Sequence, residues 1–229
     1  MKKYDLQTYL ENKQLRLKAA PVYRTMCKTC LCPEFSCYCE AVQTFDPNIQ
    51  FIILIHPIEY NRRIATGRMS HLVLQGSKLI KGQDYSNNLE VNQILSDPSN
   101  FPVILYPGVR SKNLSHMSAE AKKMLFPSNK KVTFFVIDGT WATARKMIRQ
   151  SQNLQNITRL CFSPSAPSNF RVRKQPAPHC VSTIEAIHET IELLGDACGF
   201  STASRQHDQL LYAFDYMVER QLEFIKKFA

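Results

Sequence analysis

Nowhere does the sequence carry a run of about 18 apolar residues, the least that crosses a membrane, so a membrane protein is not expected. Its beginning, Met1-Lys2-Lys3-Tyr4-Asp5, leads into a charged helical stretch and lacks the apolar core and small-residue cleavage site of a secretory signal. The expectation is a cytoplasmic protein. Internal repeats, low-complexity tracts and an obvious interdomain linker are also missing, and 229 residues suffice for a substantial α/β core. Acid is in short supply. Against 29 Lys and Arg stand 19 Asp and Glu, giving a net charge of +10 and a pI near 9.3. That balance suits a polyanionic partner and equally a plain basic surface, and the placement of the charges must decide. Tryptophan is the scarcest residue, represented by Trp141 alone.

Cysteine, by contrast, is abundant and clustered. Of eight, five fall between Cys27 and Cys39. In a reducing compartment such spacing points to metal and not to disulfides. Cys27-x2-Cys30 and Cys37-x-Cys39 form two close pairs, and four thiolates so spaced can close a tetrahedron around a structural Zn2+, with Cys32 as a spare. Four protein ligands leave no open position for chemistry, which disfavours metal-assisted hydrolysis. The alternative is a group of incidental free thiols.

Before this cluster, residues 4–20 read as an amphipathic helix built on Leu6, Leu10, Leu15 and Leu17 and stopped by Pro21. After it, short apolar runs alternate with polar helical stretches, the pattern of a mainly parallel sheet covered by helices. Three runs, 51–55, 103–106 and 132–137, read as strands buried on both faces, and each ends in polar or small residues: His56-Pro57, Pro107-Gly108 and Asp138-Gly139-Thr140. Ligands of open α/β sheets bind beyond the carboxyl ends of strands, so these loops are the first place to look for a site. Helices are expected at about 66–81, 117–125, 140–151 and 203–227, and a weaker strand near 157–162. Between Ser163 and His179, four prolines among basic residues predict a loop. Ser182 and Glu185 have the spacing of a capping box opening a helix whose apolar face is Ile184, Ile187, Ile191 and Leu194. The organisation expected is 1–45 as helix and four-cysteine knuckle, and 46–229 as one α/β domain.

The turn at 138–141 carries a carboxylate beside a helix start. Asp138 is either a general base or a helix cap. For Trp141, stacking on a base competes with burial, and the core is the expectation. Ser182 and Glu185 can contact a ligand or merely cap their helix, and His56 at a strand end is more readily satisfied structure than a ligand contact. Glu59 is the substitute base. Three basic groups cluster near the same rim: Arg62, Arg63 and Arg68 in one loop, Arg145, Lys146 and Arg149 on one helix, and Arg171, Arg173 and Lys174 in another loop. Together they suit phosphate contacts with RNA.

Asp138-Gly139-Thr140-Trp141 resembles the signature of the DTW-domain family. Four further motifs match that family in order: the cysteine cluster, His56-Pro57-x-Glu59 with Thr66-Gly67-Arg68, Tyr106-Pro107-Gly108, and Arg173-Lys174 ahead of Ser182-Thr183-x-Glu185-Ala186. Ala65 stands where the family has Asn. The resemblance, over about residues 24–195, implies a SPOUT-like α/β fold with a C-terminal trefoil knot. It also implies a tRNA-uridine aminocarboxypropyltransferase that uses S-adenosylmethionine, with bacterial members acting in the variable loop of tRNA. It places the donor against Tyr106, Pro107, Gly108, Ile137, Asp138, Gly139, Thr140, Trp141, Ser182, Thr183 and Glu185. RNA methylation on a related fold and a noncatalytic zinc-containing RNA-binding module are the competing readings.

Overall fold

The computed structural model describes residues 25–173, 177 and 180–228. The expected helix over 4–20 and Lys174 lie outside these residues. Six strands form one all-parallel sheet: β1 (Gln50–Ile55), β2 (Lys78–Lys81), β3 (Asn100–Leu105), β4 (Lys112–Asn113), β5 (Lys131–Asp138) and β6 (Thr158–Cys161), in the order β2-β1-β5-β3-β6-β4. Among the described residues seven α-helices accompany it: α1 (Pro57–Tyr60), α2 (Thr66–Val73), α3 (Leu89–Ser96), α4 (Ala119–Lys123), α5 (Trp141–Gln150), α6 (Thr183–Leu194) and α7 (Asp208–Phe228).

The continuous apolar runs are explained by burial on both sides. Successive side chains of a strand face opposite ways. Phe51, Ile53, Val103, Phe134 and Leu160 accordingly pack on one face with Met69 and Val73 of α2, Ile187 and Ile191 of α6, and Phe214 and Met217 of α7. Ile52, Leu54, Ile104 and Phe135 face the other way, onto Val91 and Ile94 of α3 and Met147 and Ile148 of α5. Each such side chain contributes about 1.5–3 kcal/mol on full burial, so the centre of the sheet is a well-packed platform for the loops at its ends. Pro102 is tolerated inside β3 because pairing with β6 begins only at Val103, and no partner on that side waits for the N–H it lacks.

The three predicted strands are present, within a residue or two of their expected ends. The expected helix at 66–81 is not. It stops at Val73, the chain turns through Gly76 in the left-handed region (φ 68°), and residues 78–81 join the sheet as β2. A glycine at positive φ ends a helix readily, and Leu79-Ile80 gain more by pairing beside β1 than by continuing an exposed helix. The helix expected at 117–125 shrinks to α4, and that expected at 203–227 begins at Asp208. Helix α3 and strands β2 and β4 were absent from the sequence reading.

The cysteine stretch shares the core of the sheet. Cys30, Cys32 and Tyr38 are buried in the same cluster as Phe51 and Phe134. Helix α7 reaches back to it: Phe35 stacks on Phe224 at 4.5 Å between ring centroids, and Arg220 binds Glu40 at 3.1 Å and the Phe35 carbonyl at 3.2 Å. Among the described residues no helix is long and apolar enough to cross a membrane.

Candidate active site

Two adjoining hollows open where β3, β5 and β6 end. The first, about 220 Å3, is walled mainly by apolar groups, including Leu105, Tyr106 and Pro107 at the end of β3, Val136 and Ile137 of β5, and Cys161 and Phe162 at the end of β6. The second, about 500 Å3, is more polar and holds Thr66, Asp138, Thr140 and Arg173. Gly139, Trp141, Val181, Ser182 and Thr183 border both, so the two are lobes of one cleft. Sequence reasoning missed the β6 wall. The rule that pointed to the loops after the other strands would have found Cys161 and Phe162 had it been applied to the weaker fourth run.

Asp138 ends β5 between β1 and β3 and is only 6% exposed. It is not a cap. Thr140 takes that role for α5, its Oγ1 accepting from the Thr143 amide at 3.2 Å. The Asp138 Oδ1 accepts from the Thr183 hydroxyl at 2.7 Å, while Oδ2 is buried without a hydrogen-bond partner. The Gly67 amide also faces this carboxylate and favours its charged form, and a Cβ on Gly67 would stand 2.2 Å from Oδ2. Only glycine lets the start of α2 approach this carboxylate. Burial pushes the Asp138 carboxyl up to about 6; the negative charge of Glu59 adds to the rise, and the Thr183 hydrogen bond and Arg173 oppose it.

Glu59, also buried, meets Arg173 at 3.2 Å and Arg62 at 3.4 Å. Two guanidinium groups thus balance its charge. Ser182 and Glu185 complete the expected capping box. The Glu185 carboxylate accepts from the Ser182 amide and hydroxyl at 2.7 and 2.6 Å, and from Ser168 and the Asn169 amide at 2.7 Å each. Both of its oxygens are engaged inside the chain, and it faces a separate hollow with His188 and Asp215 instead of the cleft. Gly108 is exposed beyond the cleft wall. His56 is satisfied structure, its Nδ1 accepting from the Ile58 amide at 3.2 Å.

Trp141 corrects the expectation of a core residue. It is 43% exposed, lines both lobes, donates from Nε1 to the Cys180 sulfur at 3.2 Å and lies 6.5 Å from the Tyr106 ring centroid. As the first residue of α5 it precedes the turn whose Ala144, Met147 and Ile148 carry the buried face.

Of the basic groups, Arg62, Arg63, Arg145, Lys146, Arg149 and Arg171 are exposed, while Arg173 is half-buried against Glu59. Arg68 corrects the expectation of a phosphate contact. Its side chain is buried, and the guanidinium donates to the carbonyls of Tyr60, Arg62 and Arg63 at 2.7, 3.0 and 3.1 Å. A planar fork with five donors suits this task of holding a loop from within.

Cys27, Cys30, Cys37 and Cys39 converge, with Cys27 to Cys39 and Cys30 to Cys37 at 3.6 Å between sulfurs and all four sulfurs within 4.8 Å of one another. A tetrahedral site with Zn–S of about 2.3 Å has S···S edges of about 3.8 Å, so the set fits zinc. The amides of Cys30 and Thr29 hold the Cys27 thiol down to about 6, whereas burial raises Cys37 and Cys39, whose protons an incoming cation must displace. Cys32 stands apart and donates to the Arg63 carbonyl at 3.0 Å.

A parallel α/β sheet with both faces covered, and a half-apolar, half-polar cleft at a meeting of strand ends, defines a ligand-binding enzyme of the open-sheet class. The model of the DTW domain matches residues 24–222, and the chain belongs to that family. It is similar to the tRNA-uridine aminocarboxypropyltransferase 2 of Drosophila melanogaster, 28% identical over 76% of this chain and 68% of the relative. The proteins of that name from Macaca fascicularis and Mus musculus are 25% identical over 75% of this chain, which spans 57% of their length. No solved structure matches the chain.

Proposed function

We propose that this chain transfers the 3-amino-3-carboxypropyl group of S-adenosylmethionine to N3 of a tRNA uridine in the cytoplasm, in the variable loop. The observation that carries the reading is the buried Asp138 carboxylate with one oxygen unpartnered in the polar lobe. Such an orphaned acceptor costs about 1–3 kcal/mol in a finished core and is explained by a ligand that completes it. The names borne by the relatives support the same reading, as does the strand-end position of the cleft for a SPOUT-like fold with a C-terminal knot.

The sulfonium of the donor activates its three attached carbons and leaves as neutral methylthioadenosine. Which carbon reacts is set by positioning. Tyr106, Pro107 and Ile137 form the apolar wall for the adenosine portion, with Gly139 allowing close approach, while Thr140, Ser182 and Thr183 supply hydroxyls. Glu59 and Arg173 hold charge of both signs beside the polar lobe, which suits an amino-acid arm. Trp141 stacks on the incoming uracil. Asp138 takes the N3 proton as the N3–Cγ bond forms and the S–Cγ bond breaks with its electron pair going to sulfur. The Thr183 hydrogen bond fixes the carboxylate for this step. Zinc bound by the four cysteines stabilises the fold and takes no part in the chemistry.

The test is incubation of the purified chain with unmodified tRNA and S-adenosylmethionine. An aminocarboxypropyl-uridine nucleoside together with methylthioadenosine is expected. A methylated nucleoside would establish the methyltransferase reading instead, and tRNA binding indifferent to the donor, with no product, would establish a noncatalytic module.

A further inference from the structure

A further open hollow, of about 650 Å3, lies on the edge of the sheet where β6 and β4 run side by side. Arg110, Lys112 and Arg159 line it together with Asn156 and Thr158, and no acidic residue does. Among the described residues these three cations take part in no ion pair and donate no side-chain hydrogen bond. Arg205, by contrast, meets both Glu192 and Asp208. Three like charges left together without a counterion repel one another and are stabilised by an anion that meets them all.

Position narrows the anion. The loop leaving β3 passes from Pro107, in the apolar lobe of the cleft, to Val109 and Arg110 in this hollow. Likewise Arg159 precedes Cys161, a wall of the same lobe, by two residues, or about 7 Å along the strand. The hollow thus adjoins the reaction cleft on the sheet edge, away from Arg62 and Arg63 beside α1. Val109, at its mouth, is fully exposed. Open shape, hydrogen-bond donors and several separated cations suit a chain of phosphodiesters better than a compact anion.

We propose that Arg110, Lys112 and Arg159 hold the phosphate backbone of the tRNA on the nucleotides flanking the target uridine. This rests on the reading of the chain as a tRNA-modifying enzyme and extends its RNA footprint to a face that the sequence motifs do not mark.

The experiment compares the full-length protein with two double variants, Arg110→Ala/Lys112→Ala and a control, Lys130→Ala/Lys131→Ala, at the opposite, amino end of β5. Affinity for unmodified tRNA is measured over a range of salt concentrations, and S-adenosylmethionine binding is measured without RNA. The first variant is expected to lose about tenfold or more in tRNA affinity at moderate salt. Its plot of log affinity against log salt should be shallower by about two, near one unit per lost phosphate contact. Donor binding should be retained, and the control should lose distinctly less on both RNA measures. Affinity and slope equal to those of the unaltered protein, or equal losses in the control, would overturn the assignment. Unaltered protein that binds tRNA yet makes no product overturns the proposed reaction instead, and the slope comparison still decides the surface.

Discussion

Asp138 and Glu185 are two carboxylates a few residues from helix starts, on opposite sides of one cleft wall, and their surroundings differ in kind. Glu185 meets four donors and ties the 168–169 loop to the first turn of α6. Asp138 meets one, keeps an oxygen unpartnered at 6% exposure, and holds its proton up to about 6. The first is an acid spent on structure; the second is one the fold keeps at a cost. Hydrogen-bond completeness, more than residue type or sequence motif, separates the two roles.

The sharpest way to break this contrast is Asp138→Asn, which keeps shape and the Thr183 bond and removes the base. Turnover should fall by about 10²–10⁴-fold, read as nucleoside product per unit time, while the melting temperature at neutral pH holds or rises. A variant that melts early and turns over normally would reverse the assignment of roles. Next comes pH. A group raised from 3.8 to about 6 leaves the native state holding the extra proton between those values, so its contribution to stability declines as pH climbs through that window and levels off above it. The loss is on the order of 3 kcal/mol. Activity should move the opposite way, rising through about pH 6 as the base ionises, and denaturant titrations of Asp138→Asn should lack this part of the decline.

Glu185→Ala should then cost about 2–3 kcal/mol of stability, since it strips partners from several donors at once, with turnover per folded molecule little changed; chemical denaturation and an active-site titration separate the two. Gly67→Ala is the finest cut. Its Cβ would crowd Asp138 Oδ2, and turnover is expected to drop about tenfold, the scale on which misplacing a reacting group is felt, with a melting temperature shifted by only a few degrees.

Much of this was legible in advance because it rests on local rules. Runs of β-branched and aromatic residues ending in polar turns marked β1, β3 and β5, and with them the loops that form the cleft. Paired cysteines marked the metal set, and Ser182 with Glu185 marked the start of α6. What escaped depends on neighbours distant in sequence. Strand β2 is four residues whose only reason to be extended is the edge of β1. Arg68 looks like its exposed neighbours Arg62 and Arg63 until the carbonyls of 60–63 are seen wrapped around it. Trp141 lies outside the buried stripe of α5 only because that helix starts at the cleft, and the absence of an acidic neighbour for Arg159 depends on what the fold places around it.

The carbonyl of Arg63 is gripped twice, by the Arg68 guanidinium and by the Cys32 thiol. One peptide oxygen is thus a pivot between the cysteine knuckle and the segment that presents Glu59 to Arg173. Strain introduced at the knuckle has a short mechanical route to the polar lobe, so Cys37→Ser, which breaks up the four-thiol set, should register there as altered donor affinity before the sheet itself loosens.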